Sequence, residues 1–215
     1  MICLFGGTFD PVHVGHVHAA GTVCGALELA EIRMLLSARP GHRGETGATV
    51  AQRWRMLELA CADDPRLVPD DAEVRRAERA GRPSYTVETL EEIRAGEPRA
   101  VVAWVVGSDA YREITTWHRW REVLDLANLV VLHRPGAPLD LPAELDELTR
   151  ARRTSRRPHT PAGAILVLDA PMLPVSATRV REALREAAAD VTDLLPPAVY
   201  TYIKKYHLYG VVSDP

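Results

Sequence analysis

Residues 2–29 read ICLFGGTFDPVHVGHVHAAGTVCGALEL. Four apolar side chains run without a break into Gly6-Gly7, and beyond Val14 the chain is rich in Ala, Val and Leu. A short run that is apolar at every position predicts a strand buried on both faces, and the stretch 14–29 predicts a helix.

The same alternation continues outward. Residues 32–37 form a second candidate strand, followed by a polar, glycine-rich loop over 39–49. Residues 50–61 (VAQRWRMLELAC) place apolar side chains at helical spacing. A helix is predicted over 85–95, with Thr86 at its N-cap. Residues 101–106 (VVAWVV) make the strongest strand in the chain, closed by Gly107. A helix over 119–126 and a strand over 129–132 follow, ended by Arg134-Pro135-Gly136. The stretch 136–163 is the least regular, with a helix near 143–151 and an arginine-rich exposed run at 152–157. A strand over 165–168, a helix from Ser176 to about residue 188 and a helix over 197–206 complete the pattern. Buried strands separated by helices predict an α/β fold, a Rossmann-like doubly wound parallel sheet, here with a C-terminal helical extension over about 171–210. A length of 215 residues fits one domain spanning 1–215. Such sheets bind ligands beyond the carboxyl ends of their strands, so the residues after 2–5, 101–106 and 165–168 are the ones to inspect.

Composition removes several classes of function. The net charge is −3, against the basic excess of a dedicated nucleic-acid binder. Three cysteines (Cys3, Cys24, Cys61), odd in number and far apart, fit a reducing compartment better than a disulfide framework or a structural zinc site. The N-terminus does not read as a signal peptide, and no apolar run approaches the ~18 residues of a membrane span. The expectation is a cytoplasmic protein.

Residues 6–16, GGTFDPVHVGH, carry the first chemistry. Two glycines leaving a buried strand let the backbone approach a ligand closely, and amides at the turn and the following helix start can receive phosphate oxygens. His13 and His16 are three residues apart, so both imidazoles can face one point. Taken alone, the glycine turn is an ordinary connection, and the histidines are either zinc ligands with Asp10 or a polar helix start. Neither a Walker A sequence nor GxGxxG is present, which argues against a P-loop NTPase or a dehydrogenase.

With the later motifs the sequence resembles a known family. GGTFDPVHVGH is similar to the signature of the HxGH nucleotidyltransferases. RPSYTVETL (82–90), GSD (107–109), WHRW (117–120), HRPG (133–136), VSATRVR (175–181) and LLPPAVYTYIKKYHLYG (194–210) resemble, in order and spacing, the bacterial nicotinate-nucleotide adenylyltransferases. The resemblance implies adenylyl transfer from ATP to nicotinate mononucleotide in NAD biosynthesis. It implies catalytic roles for His13, His16 and Arg181. ATP would meet Gly6, Gly7, Thr8, Phe9, Gly15, Arg43, Gly107, Asp109, Ser176 and Thr178 as well, and the mononucleotide would meet Tyr85, Thr86, Trp117 and His118. Mg²⁺ would arrive on the ATP phosphates with no all-protein metal site. Departures are Pro40-Gly41-His42 ahead of Arg43, Ala177 where a second Ser is common, and His118 where Tyr is frequent.

Other readings of single residues stay open. Ser176 is also a helix cap, Asp109 also an N-cap, and either Trp117 or Trp120 is the one that faces the cleft. Preference for nicotinamide mononucleotide or for both mononucleotides, a nucleotide sensor without catalysis, and a cytidylyltransferase are the competing functions. Oligomeric state is not legible.

Overall fold

Strands that are apolar at every position need cover on both faces, and the sheet has it. The computed structural model describes residues 1–38 and 46–211. Its strands are β1 (Ile2–Gly7), β2 (Ile32–Leu36), β3 (Leu67–Asp70), β4 (Val102–Gly107), β5 (Asn128–His133), β6 (Arg153–Thr154) and β7 (Ile165–Asp169). They lie side by side in the order β3-β2-β1-β4-β5-β7-β6, and every pairing is parallel. The sheet is therefore doubly wound and Rossmann-like, as the alternation predicts.

Side chains alternate between two cores, as the pleat requires. Cys3, Phe5, Met34, Ala103 and Val105 pack on one face. Helices α1 (Val14–Ala26), α2 (Val50–Cys61), α8 (Ala177–Arg185) and α10 (Pro197–Lys205) cover that face. Leu4, Leu35, Trp104, Val106 and Val131 point the other way. There they meet α4 (Thr86–Gly96), α5 (Ser108–Arg112), α6 (Trp120–Leu126) and α7 (Ala143–Arg152). Two further helices, α3 (Ala72–Ala80) and α9 (Val191–Leu194), complete the set among the described residues. From β1 the chain moves outward to β2 and β3, then returns to β4 on β1's other side. That reversal opens a crevice beyond the carboxyl ends of β1 and β4.

Several boundaries differ from the sequence expectation. The helix expected over 14–29 stops at Ala26, where Leu27 N–H bonds back to Val23 O and Glu28 turns to φ +49°. Thr86 is the first helical residue of α4, not its cap. Tyr85 holds the cap position and makes no side-chain capping bond. The helix after Ser176 ends at Arg185, three residues short, and Ser176 caps it as expected, its Oγ accepting from Arg179 N–H at 3.2 Å. β3 and α3 had no legible signal. β3 (LVPD) is a short edge strand that tolerates Pro69, and α3 buries Glu73, Arg76 and Ala77 instead of an apolar stripe. The three cysteines are free and buried. Arg43 and most of the 39–49 loop lie outside the described residues. No helix among the described residues is long and apolar enough to cross a membrane.

One buried cation holds the crevice's near wall. Arg53 on α2 is fully buried. Its Nη1 donates to Thr8 O at 2.8 Å and Ser37 O at 2.7 Å, and Nη2 donates to Ala38 O at 2.9 Å. The planar fork thus knits the chain leaving β1 to the chain leaving β2. Arg53→Met keeps most of the volume and orphans three carbonyls. It should cost about 3 kcal/mol or more and lower Tm on the order of 10 °C. Calorimetry checks this, and a drop below ~2 °C would mean the carbonyls are satisfied elsewhere.

Candidate active site

The crevice is a cavity of about 860 Å³. All the candidate residues that fall within the described part of the chain line it. They come from five separate segments, brought together because each segment follows or flanks the carboxyl end of a strand.

Gly6 and Gly7 form the floor. A Cβ on Gly6 would lie 2.6 Å from the Trp104 ring, and one on Gly7 would lie 2.7 Å from the Phe9 ring. Packing alone therefore demands glycine at both positions, beyond any ligand contact. Phe9 is buried at φ +47° and stands edge-on to His16, with ring centroids 5.0 Å apart.

His13 occupies the N-cap position of α1, and His16 lies one turn on. Their rings stack at 3.7 Å with 29° between planes. His13 N–H donates to His16 Nδ1 at 3.3 Å. A ring nitrogen that accepts carries no proton, so the proton of His16 sits on Nε2. His13 is buried, and burial pushes its pKa down from 6.5 to about 4. Its Nδ1 finds no hydrogen-bond partner among the described residues and lies 3.0 Å from where a Gly15 Cβ would stand. Gly15 is thus the space that the His13 ring uses.

The start of α8 closes this end. Ser176 Oγ accepts its capping bond, which leaves the hydroxyl proton available to a ligand. Thr178 Oγ1 accepts from Arg181 Nη2 at 3.2 Å, and Arg181 Nη1 donates to Asp10 O at 2.7 Å. Neither α1 nor α8 has an acidic residue in its first turn. Two helix starts and a guanidinium therefore converge with no carboxylate in either first turn, an arrangement that favours a polyanion. Asp10 is turned away from metal-ligand duty, since its carboxylate accepts Gly47 N–H at 2.8 Å and Tyr209 Oη–H at 2.8 Å.

The other end is flatter and more aromatic. Gly107, not Asp109, is the N-cap of α5. Asp109 lies in that helix's first turn, exposed and paired with Arg112. Tyr85 lies against His118, ring centroids 4.4 Å apart. Trp117 lines the cavity. Trp120 instead packs towards Leu124 and Leu145, with Arg121 4.6 Å over its ring. The spacing of WHRW thus sends one indole to the cleft and the other away from it.

Glu73 also lines the cavity and was not singled out from the sequence. Its Oε1 accepts from Thr89 Oγ1 at 3.0 Å, Ser84 Oγ donates to its backbone carbonyl at 3.2 Å, and burial raises its carboxyl pKa. Arg76 in turn holds Thr89 and, through two bonds, Glu92. This wiring fixes the turn that carries Ser84, Tyr85 and Thr86. The signal was a lone Glu in a charged helix, indistinguishable from a solvated face.

The cytidylyltransferase-like family model matches residues 4–183. A probable nicotinate-nucleotide adenylyltransferase of Stenotrophomonas maltophilia is 44% identical over 213 residues, covering 95% of each chain. One from Pseudomonas aeruginosa is 42% identical over 212 residues, covering 97% of this chain and 96% of its own. Among solved structures, the Plasmodium falciparum nicotinic acid mononucleotide adenylyltransferase complexed with NaAD superposes with a TM-score of 0.76 at 17% identity, over 98% of both chains. At that identity the likeness speaks for the fold.

The buried imidazole of His13 makes stability depend on pH. Its folded pKa, about 4, lies below the unfolded 6.5, so the unfolded chain takes up a proton that the folded chain refuses. The contribution is whole above pH 6.5 and is lost as pH falls towards 4, by on the order of 3 kcal/mol. Denaturant unfolding at pH 7, 5.5 and 4.5 should show this slope in the wild type and a shallower one in His13→Asn. Equal slopes would show that His13 is not held neutral.

Proposed function

The chain belongs to the nicotinate-nucleotide adenylyltransferases of the cytidylyltransferase-like family, and from that premise we propose that it transfers the adenylyl group of ATP to nicotinate mononucleotide. The products are deamido-NAD and pyrophosphate, which makes this a step of NAD biosynthesis. One observation carries the reading. A single cavity joins an anion-seeking end, built from His16, Arg181 and two helix starts, to an aromatic end at Trp117 beside the uncapped start of α4.

The chemistry follows from that division. The 5′-phosphate of the mononucleotide attacks the α-phosphorus of ATP in line. The new P–O bond forms as the bond to the β-phosphate oxygen breaks and pyrophosphate leaves. Such a transfer asks the protein to align reactants and offset charge, with little covalent work. His16 donates from Nε2 to an α-phosphate oxygen, and His13 supports the tautomer through its backbone N–H. Among the described residues Arg181 gives two of its five N–H groups to protein acceptors, and the others serve the β- and γ-phosphates. Ser176, Thr178 and the α8 amides complete that cradle, with Arg43 a further basic contact. The backbone at Gly6, Gly7, Thr8, Phe9, Gly15 and Gly107 flanks the nucleotide, and Asp109 accepts from its ribose hydroxyls.

Mg²⁺ fits this site as a companion of ATP. Asp10, whose backbone carbonyl receives Arg181, has both carboxylate oxygens engaged by protein donors. The ion would therefore be held by phosphate oxygens and water, lowering the charge that the site must meet. The nicotinate ring lies on Trp117, and its carboxylate receives the amides of Tyr85 and Thr86 at the start of α4, where no side chain caps the helix. His118, its ring lying against Tyr85, shapes that corner through its backbone. Small soluble substrates suit the cytoplasm, and the whole of 1–215 acts as one transferase unit.

Purified protein with Mg-ATP and nicotinate mononucleotide should release pyrophosphate, and His16→Ala should lower kcat by at least ~10², with ATP binding far less affected. Turnover with CTP or phosphopantetheine in place of that pair would overturn the assignment. Trp117→Ala tests the other end. Stacking does not distinguish a carboxylate from a carboxamide, so both mononucleotides should weaken alike, by on the order of 1–3 kcal/mol. Comparing kcat/KM for the two shows whether preference for the acid survives, as expected. A variant that loses the preference and leaves the amide substrate untouched would refute the assigned division.

A further inference from the structure

Tyr209 comes from near the end of the chain and sits beneath the phosphate end of the site. It belongs to a 3-10 turn, Leu208–Gly210, and is itself buried. The backbone that delivers it is unusual: His207 is at φ +49°, Tyr209 at +60° and Gly210 at +81°. Left-handed conformations at two non-glycine residues carry a cost and persist where surrounding contacts hold them.

The contact that holds Tyr209 is made at Asp10. Tyr209 Oη donates to Asp10 Oδ1 at 2.8 Å. The same carboxylate receives Gly47 N–H at 2.8 Å and Ala48 N–H at 3.2 Å, while the Asp10 carbonyl receives Arg181 Nη1 at 2.7 Å. Asp10 is buried, so each oxygen relies on its protein donors. A Cβ on Gly47 would lie 2.8 Å from the Tyr209 ring and 3.7 Å from Arg181 Cδ. The backbone of Gly47 is therefore held between the phenol and the arginine stem. Burial and the neighbouring Asp10 charge push the phenol's pKa up, so the hydroxyl stays protonated and remains a donor.

We propose that Tyr209 is a positioning residue of the triphosphate site, acting through Asp10 to fix the plane of the Arg181 guanidinium. Arg181 reaches across from α8 on a long, rotamer-rich side chain, and two protein acceptors, Asp10 O and Thr178 Oγ1, set where its remaining N–H groups point. Removing the phenolic proton leaves a buried carboxylate oxygen short of a donor. Asp10 then rotates or shifts, and the carbonyl that holds Arg181 moves with it. The loss falls on ATP, because the mononucleotide's aromatic end is built from β4 onward and from α4. The identity of the ligand as ATP rests on the function proposed above.

Calorimetric titration of the full chain with Mg-ATP, with steady-state kinetics alongside, tests this on wild type, Tyr209→Phe, Arg181→Ala and the double variant. Tyr209→Phe should weaken ATP about tenfold and leave the KM for nicotinate mononucleotide within about twofold. Residues that act through one another are not additive, so the double variant should bind ATP no worse than Arg181→Ala, within about twofold. Additive losses, or equal losses for both substrates, overturn the proposal. Should Tyr209→Phe fail to fold, Gly47→Ala decides, since its Cβ displaces the ring and should give the same ATP-selective loss. Wild type that binds Mg-ATP without transferring adenylate refutes the function and leaves this test standing. Wild type that does not bind Mg-ATP refutes both.

Discussion

β1 ends where there is no room for side chains. Trp104 fills the space above Gly6 and Phe9 the space above Gly7, so this interior strand of the sheet stops in bare backbone. Because β1 is also the strand from which the chain winds outward in both directions, that bare stretch lies at the bottom of the crevice. A residue with a Cβ at either position would push Trp104 or Phe9 aside, and with Phe9 would go the edge-on contact that seats His16. Floor, imidazole pair and phosphate end thus share one steric condition.

Around that floor the protein buries charge freely, and nearly all of it is on the site side. Arg53, Asp10, Glu73, Arg76 and His13 are all buried around the carboxyl ends of β1 and β2 or beside the α3–α4 turn. Arg53 gives both Nη atoms to carbonyls, Asp10 receives amides and a phenol, Arg76 reaches Thr89 and Glu92, and Glu73 receives Thr89. Replacing such groups with apolar ones often stabilises a protein. Here their common effect is to hold loops in one arrangement, which a transfer reaction that depends on alignment requires.

The sequence made the covered parts of the fold legible and hid the polar parts. VVAWVV and ICLF announce themselves because both faces of their strands are buried, and α2 begins and ends where its apolar spacing says. α3 was silent because the polar side chains it buries, Glu73 and Arg76, meet at Thr89 on another helix and leave no periodic trace. β3 was silent because it is four residues long and contains Pro69. At the site, the segments after β1 and β4 and the start of α8 were readable because glycines, histidines and a capped basic helix sit at strand ends. Asp10 was visible only as a candidate ligand. Its actual partners, Gly47 and Tyr209, are 37 and 199 residues away, a separation that local pattern cannot bridge. Thr86 and Asp109 look like caps by residue type, but the cap positions fall to Tyr85 and Gly107, whose neighbours set where each helix starts.

The two borders of the sheet have a bearing on life at high concentration. An edge strand with unpaired N–H and C=O groups invites a second chain to extend the sheet. On one border stands β3, where Pro69 supplies no N–H at all. On the other stands β6, two residues long, with Arg152 just before it, exposed Arg153 within it and Arg156 two residues after it. Growth is blocked on one side by a missing donor, and on the other by brevity and like-charge repulsion. A parallel sheet this apolar is therefore closed to polymerisation at both ends, by local means that leave its interior untouched.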